Sequence, residues 1–129
     1  MDKKIVLVID DVVSELSLIS AALQPHFDVR MSKSAGTALN FLEKEKVDII
    51  LLDIEMPGMS GFEFLHEVKK NPKFLRIPVI VVSNHSGQEF FDHAKSSGAA
   101  DCVAKPVVAA TLVQKVTDMI ANPPKSFLL

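Results

Sequence analysis

Five polar residues stand at the ends of short apolar runs in this chain. Asp10 and Asp11 follow Ile5-Val6-Leu7-Val8-Ile9, and Asp53 follows Ile49-Ile50-Leu51-Leu52. Ser83 follows Val79-Ile80-Val81-Val82, and Lys105 follows Asp101-Cys102-Val103-Ala104. Short apolar runs bounded by turn signals suit strands buried on both faces. In a parallel sheet their carboxyl ends share one edge, where open α/β sheets take their ligands. Three carboxylates gathered there cannot all stay ionised without a counter-charge, so one protonates or a cation binds. Hard oxygen donors with room for water suit Mg2+ or Mn2+ better than zinc. Lys105 adds a positive charge and Ser83 a hydroxyl, a pairing suited to an anion with several oxygens. These are the parts of a phosphoryl-transfer site, with Asp53 attacking and becoming an acyl phosphate. Taken singly each has a plainer reading, as a loop-opening acid, a turn hydroxyl or a solvated lysine. Their joint placement favours the site.

The segments between the runs must position them. Ser14 is expected to cap a first helix carrying Leu16, Ile19 and Leu23 inward, stopped by Pro25. Phe27 to Met31 reads as a second strand, and its alternating Asp28 and Arg30 suggest a sheet edge. Ser34 caps a second helix with Ala35, Ala38, Leu39 and Leu42 on one face. A third begins near Ser60 or Gly61, with Phe62, Leu65 and Val68 facing inward. Gly87 to Ser97 reads as a fourth, closed by Gly98, and a fifth carries Leu112, Val116, Met119 and Ile120. Strand and helix alternate five times, which implies a parallel sheet with helices on both faces. Five units are too few for an eight-stranded barrel, so the sheet is expected to be open and doubly wound.

Composition narrows the class. The chain has 129 residues, one domain's length, and 48% hydrophobic residues argue against disorder. A net charge of −2 leaves no basic footprint for nucleic acid. No stretch is long enough to span a membrane, and the run from Ile5 to Ile9 is too short for a signal-peptide core. Cys102 is the single cysteine, which excludes a disulfide within the chain. The expected address is the cytoplasm. One domain is expected over 1–121, with 122–129, including Pro123-Pro124-Lys125, as a tail or the start of a linker.

With these residues set out, the chain resembles the receiver domain of two-component response regulators from about Lys4 to Ile120. The resemblance is carried by Asp10-Asp11, Asp53 with Met56-Pro57-Gly58-Met59-Ser60-Gly61, Ser83, Gly98-Ala99-Ala100-Asp101 and Lys105-Pro106. It implies a flavodoxin-like (βα)5 fold with strand order 2-1-3-4-5, and phosphoryl accepted on Asp53 from a sensor histidine kinase or phosphotransfer protein. By the same resemblance Asp11 and Asp53 would ligate Mg2+ directly, Asp10 through water and Glu55 through its backbone carbonyl. Lys105 would pair with the phosphoryl oxygens, Ser83 would be the switch hydroxyl, and the Lys105-Pro106 bond is a candidate for the cis form. The output would be a shifted surface of the fourth helix, fifth strand and fifth helix, read by an output domain or downstream protein. Such a module phosphorylates and dephosphorylates itself without being a turnover enzyme. Pairing of two copies through that face is left open.

Three positions depart from the pattern. Cys102 stands where the resemblance implies an aromatic residue, three before the lysine, so the output would be read differently, with the Phe90-Phe91 pair as one route, or be coupled more weakly. Asn84, after the switch position, is larger than the usual Ala or Gly and would narrow access to the phosphoryl group. Glu55 and His85 flank the same opening and are candidates for tuning dephosphorylation. Two other functions compete: an interaction module that works without phosphate, and a phosphatase or phosphomutase with an aspartyl nucleophile. A module of the first kind generally lacks a site residue, and none is missing here. The second wants its nucleophile after the first strand rather than the third.

Overall fold

The computed structural model describes residues 3–55, 60–85 and 87–124. Met56-Pro57-Gly58-Met59 of the motif and the final Phe127-Leu128-Leu129 lie outside the described residues. The elements alternate throughout: β1 (Ile5–Ile9), α1 (Val13–Leu23), β2 (Asp28–Ser32), α2 (Ala35–Lys44), β3 (Ile49–Asp53), α3 (Gly61–Lys70), β4 (Val79–Ser83), α4 (Gln88–Ser96), β5 (Asp101–Ala104) and α5 (Ala109–Ala121). All strand pairs are parallel and the order is β2-β1-β3-β4-β5. Both the doubly wound sheet and its strand order match the expectation.

Alternation along each strand divides the core in two. Leu7, Ile9, Ile50, Leu52, Val79 and Val81 pack with α2, α3 and α4. Val6, Val8, Ile49, Leu51, Ile80 and Val82 pack with α1 and α5. Every residue of β3 and β4 is buried, Asp53 and Ser83 included, because helices cover both faces of these inner strands. The sheet therefore delivers two polar side chains to its carboxyl edge from positions where apolar ones are the rule. β2 pairs only with β1 and is mostly half-buried, as expected of an edge.

One local expectation is corrected and one is extended. Helix α1 begins at Val13 with Val12 in the cap position, so Ser14 lies inside the first turn and does not cap it. The entry is held instead by Asp10, whose Oδ1 accepts from the Val12 N–H at 2.9 Å. In α3 the fully buried aromatic is Phe64, while Phe62 is only half-buried. The helix starts at Gly61, after a capping box in which Ser60 Oγ accepts from the Glu63 N–H and Glu63 Oε1 from the Ser60 N–H, each at 3.2 Å. That start sets which face meets the sheet. Ser34 caps α2 as expected, accepting from the Thr37 N–H, and Gly98 takes φ 112° just after α4, a conformation that suits glycine.

Candidate functional site at the carboxyl edge of the sheet

Register brings the singled-out residues to one rim. Asp10 follows β1, Asp53 ends β3, Ser83 ends β4, and Lys105 follows β5 with its N–H donating to the Ser83 carbonyl at 2.8 Å. Asp10 is 1% exposed, Asp53 3% and Ser83 1%. The Lys105 ammonium sits among the acids, 3.2 Å from Asp53 Oδ1 and 3.5 Å from Asp10 Oδ2. Chain segments up to 95 residues apart thus meet within hydrogen-bond distance. Convergence of Asp11, Asp53 and Lys105 was the central expectation. Asp53 and Lys105 do meet, but the acids gathered with them are Asp10 and Glu15, whose carboxylate oxygens lie within 4.8 Å of those of Asp53, and Asp11 is not in that group. The Lys105-Pro106 bond is cis.

Burial and crowding govern the charges. Asp53 is pushed up to about 7, first by burial, then by the neighbouring Asp10 carboxylate, with Lys105 pulling the other way. Asp10 is also raised, again chiefly by burial. For Lys105, burial works against the charge, but Glu15, Asp53 and Asp10 together outweigh it and hold the ammonium well above the usual lysine range. One lysine does not neutralise this many carboxylates. Asp11 adds a sharper sign: its Oδ1 is buried and has no hydrogen-bond partner among the described residues. Such an atom is costly to leave unmatched. Asp10, Glu15 and Asp53 bring carboxylate oxygens within 4.8 Å of one another, and that group, with the orphaned oxygen of Asp11 next along the chain from Asp10, fits a divalent cation with oxygen ligands.

Ser83 faces the other side of the rim. Its hydroxyl donates to Glu55 Oε1 at 2.5 Å and accepts from the His85 N–H at 3.0 Å. The Glu55 N–H donates to Asp53 Oδ1 at 3.2 Å, and His85 Nε2 lies 3.6 Å from Glu55 Oε1. Burial works to raise Glu55, but the hydrogen bonds from Ser83 and Asp53 prevail and hold it below its ordinary range. The Glu55 side chain therefore has a contact that the sequence reading did not assign, since it gave this residue a backbone role and a rim position. Asn84 and His85 are both exposed. Cys102 is buried in the core facing α2, α3 and α4, with half-buried Phe90 and Phe91 packed against the same cluster. Its thiol is raised, chiefly by burial.

Sequence reasoning missed Glu15. Its Oε2 makes the shortest of the Lys105 contacts, 2.9 Å, from the first turn of α1. The sequence carried no signal for it, since an acid in the first turn of a helix is ordinary.

An open doubly wound sheet with buried acids and a lysine at its carboxyl edge defines a small class of α/β proteins. The profile of the response regulator receiver domain matches residues 6–117, and the chain belongs to that family. Among its relatives, protein PilH of Pseudomonas aeruginosa is 31% identical over 118 residues, which cover 91% of this chain and 98% of PilH. A probable cyclic di-GMP phosphodiesterase of Vibrio cholerae is 33% identical over 117 residues, 91% of this chain but 26% of that protein. A Caulobacter vibrioides protein-glutamate methylesterase/protein-glutamine glutaminase is 37% identical over 128 residues, and the chain spans 36% of its length. The chain thus corresponds to nearly the whole of one relative and to about a third or less of the other two. Among solved structures, chemotaxis protein CheY4 of Vibrio cholerae superposes with a TM-score of 0.85 at 27% identity, covering 90% of this chain and 98% of CheY4. The chain is a receiver domain, a signalling module.

Proposed function

We propose that this receiver accepts a phosphoryl group on Asp53 from a phosphohistidine, carried by a sensor histidine kinase or a phosphotransfer protein. The reading rests on one observation: a buried carboxylate at the end of β3 held 3.2 Å from a buried lysine, with a second buried acid on the same ammonium. An Asp53 oxygen attacks phosphorus, the P–N bond to the donor imidazole breaks, and an acyl phosphate forms. Lys105 then meets the phosphoryl oxygens and offsets their charge. Asp10, Asp11, Asp53 and the Glu55 carbonyl are the groups that would hold Mg2+ or Mn2+, and the bound ion supplies the positive charge that keeps Asp53 ionised and screens the incoming phosphoryl group.

Ser83 would turn from Glu55 to a phosphoryl oxygen, with Asn84 beside it at the mouth. That exchange removes a short hydrogen bond at the end of β4 and shifts the surface formed by α4, β5 and α5. With Cys102 in β5 no large side chain follows the motion there, which leaves Phe90 and Phe91 on α4 as the bulkier reporters. Glu55 and His85, both in contact around Ser83, would tune phosphoryl lifetime by controlling access of attacking water. An output domain or a separate protein reads the surface, residues 1–121 are the receiver, and 122–129 begin a linker or tail.

Incubation with Mg2+ and acetyl phosphate should add one phosphoryl group by intact mass, and Asp53→Asn should abolish the gain. An unmodified wild-type mass overturns the proposal.

A further inference from the structure

The Lys105 ammonium carries three N–H donors and meets three carboxylates here: Glu15 at 2.9 Å, Asp53 at 3.2 Å and Asp10 at 3.5 Å. The closest partner is the one that the phosphoacceptor reading leaves without a role, although its carboxylate lies in one group with those of Asp10 and Asp53. It is also the one nearest water, because the Glu15 side chain is 34% exposed against 1% for Asp10 and 2% for Asp53. A cleft of about 100 Å3 lined by Glu15, Leu18, Ile19, Lys105, Pro106 and Val107 opens beside it. We propose that Glu15 is a positioning residue for Lys105, holding the ammonium at the rim until the phosphoryl group arrives and then releasing it.

The proposal rests on the phosphoacceptor reading of Asp53, and the reasoning is a matter of which contact is cheapest to give up. A phosphoryl group on Asp53 brings three oxygens and further negative charge into reach of an ammonium whose donors are already engaged. One contact must go. Asp10 is buried and among the groups that would hold the divalent cation, so its contact belongs to the inner, charged end of the rim where the lysine is drawn. Releasing Glu15 returns a half-exposed carboxylate to solvent, where an ion pair contributes little. Lysine suits this exchange because its charge is compact and its stem flexible. Glu15 thus biases the lysine toward the outer position and slows the step that draws it inward.

The test compares wild type with Glu15→Gln and Glu15→Asp. The second variant keeps the charge but shortens the side chain by one methylene, beyond hydrogen-bond reach of the ammonium. NMR signals of the Lys105 ammonium and its ε-carbon are followed before and after addition of Mg2+ and acetyl phosphate, with intact mass recorded alongside. Both variants should move the Lys105 signals in the resting protein. After phosphorylation all three proteins should give the same Lys105 signals, since Glu15 has let go. Both should also take up phosphoryl about two- to fivefold faster, the range expected for loss of a rim ion pair. Resting Lys105 signals that do not move in either variant overturn the inference, as does a difference that persists unchanged after phosphorylation. An acceleration in Glu15→Gln that is absent in Glu15→Asp assigns the effect to net charge and overturns it too. Failure of the Asp53 reading is separately visible as an unmodified wild-type mass, and the resting comparison still decides whether Glu15 holds the lysine.

Discussion

Asp53 carries the conflict on which this site is built. A carboxyl whose ionisation is deferred to about 7 by burial and by Asp10 costs the folded chain stability as soon as its counterpart in the unfolded chain ionises. The sign follows from proton counting. Below about pH 4 the group is protonated in both folded and unfolded chains and contributes nothing. Between there and about 7 the unfolded chain gives up its proton while the folded one keeps it, so stability falls as pH rises. In EDTA at pH 7.5, Asp53→Asn should therefore raise the urea stability by roughly 1–3 kcal/mol, and the gain should fade toward pH 4. A variant no more stable than wild type at pH 7.5 would contradict this account of the charge. The same substitution removes the phosphoacceptor, so stability and function are expected to move in opposite directions at this residue.

At the scale of elements, β3 and α3 meet with no room to spare. A Cβ on Gly61 would fall 2.5 Å from Ile54 Cα and 2.9 Å from the Asp53 carbonyl oxygen, both backbone atoms that cannot swing aside. Gly61→Ala should cost about 1–3 kcal/mol in chemical denaturation and shift the backbone amide signals of Asp53 and Ile54. Normal stability with unshifted signals would show that the approach is less tight. The far end of α3 is tied down by Lys69, a buried lysine donating to the Leu75 and Ile77 carbonyls at 3.1 and 2.8 Å. Burial lowers it to about 8. Between that value and the ordinary lysine range the unfolded chain binds more protons, so stability rises with pH across the window. Relative to Lys69→Met, wild type should gain roughly 2–3 kcal/mol between pH 8 and 10.5, read from paired denaturation curves. A constant difference would mean that the ammonium is charged at ordinary cost.

For the whole molecule, the cation is expected to tie the rim to global stability. A ligand bound only by the folded chain at about 100 times its Kd stabilises it by about 2.7 kcal/mol. Saturating Mg2+ should thus raise the melting temperature of wild type by several degrees. Asp11→Asn, which replaces the carboxylate whose buried Oδ1 has no partner among the described residues, should lose most of that rise. An equal rise in both proteins would remove Asp11 from the ligand set. No helix among the described residues is long and apolar enough to cross a membrane, and the domain's two apolar layers lie on either side of its sheet.

Much of this was legible in the chain itself. Alternating apolar runs and amphipathic segments determined the parallel sheet, because burial on both faces demands unbroken apolar strands and a helix to return the chain each time. Placing Asp10, Asp53 and Lys105 at strand ends followed from the same pattern. What tertiary structure alone decided were the contacts between side chains far apart in sequence. Spacing along the chain carries no record of which acid a lysine prefers, so Glu15 at 2.9 Å from Lys105 and the Ser83 hydroxyl on Glu55 emerged only with the fold. That Phe64 is fully buried while Phe62 packs half-buried against the same core was decided in the same way, by where α3 begins and which of its faces meets the sheet.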